Sequence, residues 1–209
     1  MYTLFGSAGS GSAAIEVALG VADIPYRIVN AATWEPESAL AELKQANPLG
    51  QIPTLVLPEG GVLSESAAIL IHLGLSHPAC GLLPTEPAAR AQCIRGLVYI
   101  AANCYAAIGV IDYPERWCAQ PGDAVSDNVR LGARARLHLY WDTFADQFPA
   151  RPWLSGAEPG ALDYFAAVVS KWSGSRAHLA QARPAFSELL QRIEALPAVA
   201  PVFARHWTA

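Results

Sequence analysis

Residues 47–73 read NPLGQIPTLVLPEGGVLSESAAILIHL, and the turn and cap residues in this stretch decide the fold. Apolar runs at Thr54–Leu57 and Val62–Leu63 are separated by Pro58-Glu59-Gly60-Gly61, so the segment predicts a β-hairpin. Pro53 stands where the first of these strands begins. Its nitrogen carries no proton, so the neighbouring backbone edge stays unpaired and open to an extended peptide. After the hairpin, Ser64-Glu65-Ser66 precedes the apolar run 67–73, which predicts a helix starting at Ser66. The free amides of such a start accept a capping side chain or the carboxylate of a ligand.

Upstream, Tyr2–Phe5 and Tyr26–Val29 read as short strands, and Ile15, Val17, Ala18 and Leu19 begin an apolar helical face that continues to Ile24. The order is therefore strand, helix, strand, then hairpin and helix. Between the first strand and its helix lies Gly6-Ser7-Ala8-Gly9-Ser10-Gly11-Ser12, where glycines let the backbone approach a ligand and the helix mouth favours negative charge. Gly9, Gly11 and Ala14 also fit a dinucleotide fingerprint. The second strand, however, runs into Asn30-Ala31-Ala32, with no acidic residue for a ribose, and no further regular βαβ series follows. Nucleotide binding is set aside on that ground.

Downstream, residues 76–87 carry three prolines and a glycine and read as a linker. Beyond it only helical patterns occur, at 88–111, 127–147, 161–171, 176–181 and 184–196. The expected division is 1–75, a linker 76–87, and an all-helical 88–209. With 209 residues, 53% of them hydrophobic and 15% charged, the chain can bury a sizeable core. A net charge of −4 with scattered Lys and Arg leaves no basic stripe for nucleic acid. The longest apolar tract, 96–111, is interrupted by Asn103 and is short for a membrane span; it reads as a core helix. No export signal opens the sequence. Cys80, Cys93, Cys104 and Cys118 form no C-x-x-C pair and have no histidine at zinc spacing, so no metal site is expected. On one helix Cys93 and Cys104 would stand roughly 16 Å apart, beyond bridging distance. Reduced, mostly buried thiols of a cytoplasmic protein are the expectation.

Taken together, Asn47-Pro48-Leu49-Gly50-Gln51-Ile52-Pro53 and Leu63-Ser64-Glu65-Ser66-Ala67-Ala68-Ile69 closely resemble the glutathione-binding half of glutathione transferases. The opening strand and loop, the proline-rich linker and the helical second half follow that family's order over nearly the whole chain. The resemblance implies an α/β thioredoxin-like N-terminal domain followed by an all-α C-terminal domain, with glutathione as co-substrate. It further implies that Pro53 is cis, and that the backbone of Ile52 pairs with the cysteinyl unit of glutathione like an added strand. Ser66 would receive the γ-glutamyl carboxylate and Glu65 the ammonium, Gln51 would touch ligand backbone, and Lys44 or Trp34 would meet the glycyl carboxylate.

Relatives place a Tyr, Ser or Cys after the first strand to hold the glutathione sulfur. Phe5 ends that strand here and the loop has no cysteine, leaving serine hydroxyls. Ser10 lies nearest the helix entrance and ranks ahead of Ser12 and Ser7, although an alignment anchored on Val17-Ala18-Leu19 puts Gly11 at that place; helix capping by Ser10 or Ser12 can coexist with the role. The electrophile pocket is expected from Tyr99, Asn103, Tyr105, Ala106, Ile108 and Trp117. The implied function is a cytoplasmic, homodimeric detoxifying transferase, whose activated thiolate attacks a small hydrophobic electrophile. A lyase or reductase using the same thiolate, and a non-catalytic glutathione-binding protein, stay open beside it. One departure stands out: the helical-domain motif that relatives write S/T-x-x-D appears as Gly160-Ala161-Leu162-Asp163, without the capping hydroxyl.

Overall fold

The computed structural model describes residues 1–35, 37–120 and 122–207. Its first part alternates β1 (Tyr2–Gly6), α1 (Ser12–Val21), β2 (Tyr26–Asn30), α2 (Leu40–Ala46), β3 (Thr54–Val56), β4 (Val62–Leu63) and α3 (Ser66–Ser76). The strands form one mixed sheet in the order β2-β1-β3-β4. β1 runs parallel to β2, while β3 is antiparallel to both β1 and β4. Side chains alternate across it as the pleat requires. Leu4 and Leu55 pack on one face with Ile15 and Leu19 of α1 and Ile69, Leu70 and Leu73 of α3. Phe5 points to the other face, where Ala31 and Leu43 of α2 cover it. The hairpin turn closes through Leu57 N–H donating to the Gly61 carbonyl at 2.7 Å.

The remainder is helical: α4 (Pro87–Tyr99), α5 (Ala106–Asp112), α6 (Asp123–Gln147), α7 (Ala161–Val169), α8 (Ser175–Ala182), α9 (Pro184–Glu194) and α10 (Ala200–His206). A thioredoxin-like sheet domain joined to an all-α domain is thus the observed architecture. Every residue of α7 is buried, and its Leu162 lies so close to Gly96 that a Cβ there would stand 2.7 Å from the leucine side chain. Three details correct the expected spans. The 127–147 helix begins at Asp123, whose carboxylate suits a first turn. The 88–111 helix is not uniform, because a π-helical stretch at Ile100–Tyr105 separates α4 from α5. α10 was not anticipated, since Pro197 and Pro201 break up the periodicity that would announce it.

Helical residues 87–112 are long and apolar enough to cross a membrane, yet Cys93, Leu97, Ile100, Cys104 and Ile108 sit in the protein core. All four cysteines are free. Burial pushes the Cys93 thiol up to about 11 and raises Cys104 as well, so these two stay protonated and inert near neutral pH.

α10 is tied to α1 by a buried ion cluster. Glu16 accepts a 2.5 Å contact from His206 Nε2 and a 3.0 Å hydrogen bond from Arg205. Burial raises the Glu16 carboxyl, but the hydrogen bonds and charges of His206 and Arg205 outweigh it and hold it below the usual range. A depressed carboxylate contributes stability above its unfolded value, about 4.3, and loses it as pH falls through the folded one. Glu16→Gln is therefore expected to lower Tm at pH 7 by about 3 to 6 °C, equivalent to ~1.5 kcal/mol. The gap to wild type should close in acid. Thermal unfolding across pH checks it, and a gap that is absent at pH 7 or independent of pH contradicts it.

Candidate functional site

Sheet register brings three separated segments to one edge. Phe5 pairs with Thr54, and Leu55 with Leu63. The chain leaving β1, the residues entering β3 and the residues leaving β4 therefore stand side by side. These are the loop 7–11, Ile52-Pro53 and Ser64-Glu65-Ser66. The helices that follow the first and third segments, α1 and α3, both start at this edge. Glu65 makes no capping bond at the α3 start, and at the α1 start Ser10 Oγ takes up the Ser12 amide at 3.3 Å, so two positive helix ends face the same place.

The loop is a closed serine knot. Ser10 Oγ donates to the Ser7 carbonyl at 2.8 Å and lies 2.9 Å from Ser12 Oγ; Ser12 Oγ in turn accepts the Ser7 amide at 3.3 Å. All three serines are buried. Gly9 turns the chain at φ +68, in the left-handed region. Ser7 Oγ reaches outward instead, donating over 3.4 Å to Glu35. Of the three predicted hydroxyls, Ser10 and Ser12 thus spend their hydrogen bonds on the loop itself. Gly11 is the cap residue, and Ser10 caps the helix from one position further out, its Oγ accepting the Ser12 amide of the first turn at 3.3 Å.

The second segment is built by Asn47. Its side chain accepts the Leu49 amide at 3.1 Å and donates to Thr54 Oγ1 at 3.0 Å and the Gln51 carbonyl at 3.3 Å. That brace fixes the turn so that Ile52 precedes a buried Pro53 across a cis peptide bond. Strand pairing begins only at Thr54, so the backbone of Ile52 lies outside the ladder. Gln51 is exposed. The stem of Lys44 packs about the Gly50 turn, 3.2 Å from where a Cβ would stand, while Trp34 is 56% exposed.

In the third segment Glu65 is exposed and holds φ +66, ψ +109. A non-glycine residue there is strained, and such strain persists where the surrounding structure demands it. Ser66 opens α3 and is buried. The S-E-S stretch is not a plain helix cap: Glu65 is the cap residue and makes no capping bond.

The six residues predicted for an electrophile pocket do not share one environment. The Tyr99 hydroxyl donates to the Tyr140 carbonyl at 3.1 Å and its ring packs on Phe144 and Phe148, inside the helical domain. Ile108 is core. Asn103 donates back to the Tyr99 carbonyl at 3.0 Å, Ala106 is exposed, and Trp117 is 65% exposed beyond α5. Tyr105 meets the sheet domain: a Cβ on Gly11 would overlap its hydroxyl and stand 3.2 Å from Cζ. Two surface hollows, of about 100 and 330 Å³, are lined by none of the predicted site residues. Among the described residues no His, Cys, Asp and Glu group could hold a metal ion.

Sequence reasoning missed Glu35. Besides Ser7, it bonds the Asn30 amide, but it lies in an irregular segment where no periodicity flags it. It also missed the inward turn of Tyr105, which a uniform helix over 88–111 would not predict.

Comparison with known proteins agrees with this geometry. Residues 12–74 match the family described as glutathione S-transferase, N-terminal domain. An uncharacterized GST-like protein of Escherichia coli K12, YncG, is 33% identical over 174 residues, covering 82% of this chain and 82% of its own. A probable glutathione S-transferase of Zea mays, BZ2, is 27% identical and covers 78% of this chain and 70% of its own. Among solved structures, a glutathione transferase homolog from Sulfitobacter, determined with bound glutathione, superposes with a TM-score of 0.84 at 24% identity, over 97% of this chain and 96% of that one. A glutathione transferase from Methylococcus capsulatus does so with a TM-score of 0.75 at 26% identity, over 97% of each chain. With its fold and these relatives in agreement, the chain belongs to the glutathione S-transferase family.

Proposed function

We propose that this protein binds glutathione along the edge formed by Ile52, Pro53, Glu65, Ser66 and the loop 7–12, and activates its thiol for attack on a small hydrophobic electrophile. The observation that carries the reading is the pair of helix starts flanking an unpaired backbone edge. In it, Ile52 receives the cysteinyl backbone as an added strand, Gln51 borders that strand, and the start of α3 takes the γ-glutamyl carboxylate. Glu65 neutralises the ammonium. The sulfur then falls at the mouth of α1.

A free thiol with pKa about 8.5 is only about 3% ionised at pH 7, and lowering it by two units takes ~2.7 kcal/mol. Helix dipole and loop amides supply part of that stabilisation. Ser10 remains the first serine in line as a donor to the sulfur, ahead of Ser12 and Ser7, but it must first turn its proton away from the Ser7 carbonyl. The thiolate forms a new C–S bond with an electrophile seated against the helical domain near Tyr105, Ala106 and Asn103, the electron pair leaving with a displaced anionic group or, at an activated double bond, passing into an anion that takes a proton from water. The rate gain is positioning plus nucleophile activation. The same reading makes the chain a cytoplasmic homodimer with a detoxifying role.

A panel of small electrophiles assayed with glutathione, with and without protein, tests it together with calorimetric titration of glutathione. Turnover above the uncatalysed rate for at least one electrophile is expected. Binding without turnover would favour a non-catalytic glutathione-binding protein; absence of binding would sink the reading.

A further inference from the structure

We infer that Tyr105, delivered from the helical domain, is the hydroxyl that faces the glutathione sulfur at the mouth of α1. The inference rests on the glutathione site proposed above and identifies its thiol-directed donor. Three observations carry it.

First, position. Gly11 is the cap residue of α1, and the Tyr105 hydroxyl lies so close to it that any side chain at 11 would collide. The Gly11 backbone makes a polar approach to that oxygen, and the charge of Glu65 reaches it as well. The phenol therefore stands against the first segment of the site, at the α1 start.

Second, availability. Ser10 and Ser12 are committed within the loop. The hydroxyls of Tyr99 and Tyr164 are likewise committed, to the carbonyls of Tyr140 and Pro159. Tyr105 makes no side-chain hydrogen bond to a described residue, so its proton can be donated without breaking another bond.

Third, construction. The π-helical stretch Ile100–Tyr105 ends on this residue. Widened turns of this kind shift the register of the helix beyond them and recur at functional sites. The ring is then fixed by Trp172, stacked at 5.5 Å and 30°, and by Phe165 at 6.2 Å. A rigid ring keeps the oxygen in place without loop ordering.

Burial, with Asp112 and Glu65 adding, pushes the Tyr105 phenol up to about 12 against the opposing pull of the Gly11 backbone. It thus keeps its proton near neutral pH and acts as a hydrogen-bond donor rather than a base. The thiol proton leaves to solvent; the phenol O–H then points at the sulfur lone pair and stabilises the anion, with no proton lost from Tyr105. The donor bonds S⁻ better than S–H, so it lowers the thiol pKa and has little effect on overall glutathione affinity.

Tyr105→Phe tests this, because it removes one oxygen and keeps the ring that packs on Trp172 and Phe165. The thiolate ultraviolet absorbance of bound glutathione, titrated with pH, should shift upward by about one pK unit. Turnover near pH 7 should fall about tenfold and recover as pH rises above the new pKa, while calorimetric affinity for glutathione changes less than about twofold and Tm is held. Ser10→Ala, measured alongside, should shift the titration less. An unchanged titration in Tyr105→Phe overturns the inference, including the case where turnover falls for one electrophile only, which would place the hydroxyl on the electrophile instead. A shift confined to Ser10→Ala overturns it too. If wild type fails to bind glutathione, both the site and this role are lost; if it binds and only the Tyr105 titration fails, the site stands and the donor is reassigned.

Discussion

Asp163→Ala is expected to remove about 3 to 5 kcal/mol of folding stability, on the order of a third of what a domain of this kind possesses. The carboxylate is fully buried. One oxygen accepts the Leu154 amide at 2.8 Å; the other accepts those of Ser155 and Gly160 at 2.9 and 3.0 Å. Alanine would strand three buried donors, each costing about 1 to 3 kcal/mol when left without a partner. Asp163→Asn is not a conservative rescue. Whichever way the amide is turned, its NH₂ faces an N–H, so one side of the cluster is repelled. Urea unfolding should show a large fall in midpoint for both variants; a loss below about 1 kcal/mol in Asp163→Ala would mean the cluster is dispensable. The consequence reaches the site, because α7 carries Phe165, one wall of the Tyr105 ring.

The same cap explains the missing hydroxyl at position 160. Relatives with Ser or Thr there suggest that this chain has lost a stabilising contact. The structure points the other way. A Cβ on Gly160 would stand 2.8 Å from the Leu82 carbonyl, which itself accepts the Ala161 amide at 2.9 Å, and 2.9 Å from Ser155. The segment around Leu82 has closed onto the α7 start until only glycine fits. Gly160→Ser should therefore destabilise, by about 1 to 3 kcal/mol, despite restoring the family residue.

What was legible in the sequence was what local chemistry determines. Pro53, the glycine turn after Pro58 and the Ser64-Glu65-Ser66 helix start each act within a few residues, and all fall where expected at the sheet edge. The sheet faces were legible because Leu4 and Phe5 obey a strict period of two. Tertiary choices were not legible. Nothing near Ser10 in sequence says that its proton bonds the Ser7 carbonyl, and nothing near Tyr105 says that a π stretch aims it toward Gly11. Glu16 and His206 are 190 positions apart and meet only because α10 packs on α1. Tyr99 and Ile108 read as pocket residues in the sequence because an apolar helix face looks the same whether it lines a cleft or fills a core.

Glu65→Ala and Ser66→Ala are expected to weaken glutathione binding by about 1.5 to 3 kcal/mol each, roughly 10- to 150-fold in Kd, with the fold retained. On the proposed reading each removes a partner for a charged end of the ligand at the α3 start, where Glu65 makes no capping bond. Glu65 allows a sharper test, since its φ of +66 is strained for any residue with a Cβ. Glu65→Gly relieves that strain while deleting the carboxylate, so its effects on stability and affinity should part: Tm should hold or rise, and glutathione affinity should fall as far as in Glu65→Ala. A residue kept only for structure would show the reverse, with Glu65→Gly harmless to binding. Calorimetry on the three variants, beside thermal unfolding, separates these outcomes. Unchanged affinity in all three would remove the ligand from this helix end. On the proposed reading, a ligand that needs its charge there accounts for a strained glutamate at this helix start, because glycine would otherwise serve the backbone better.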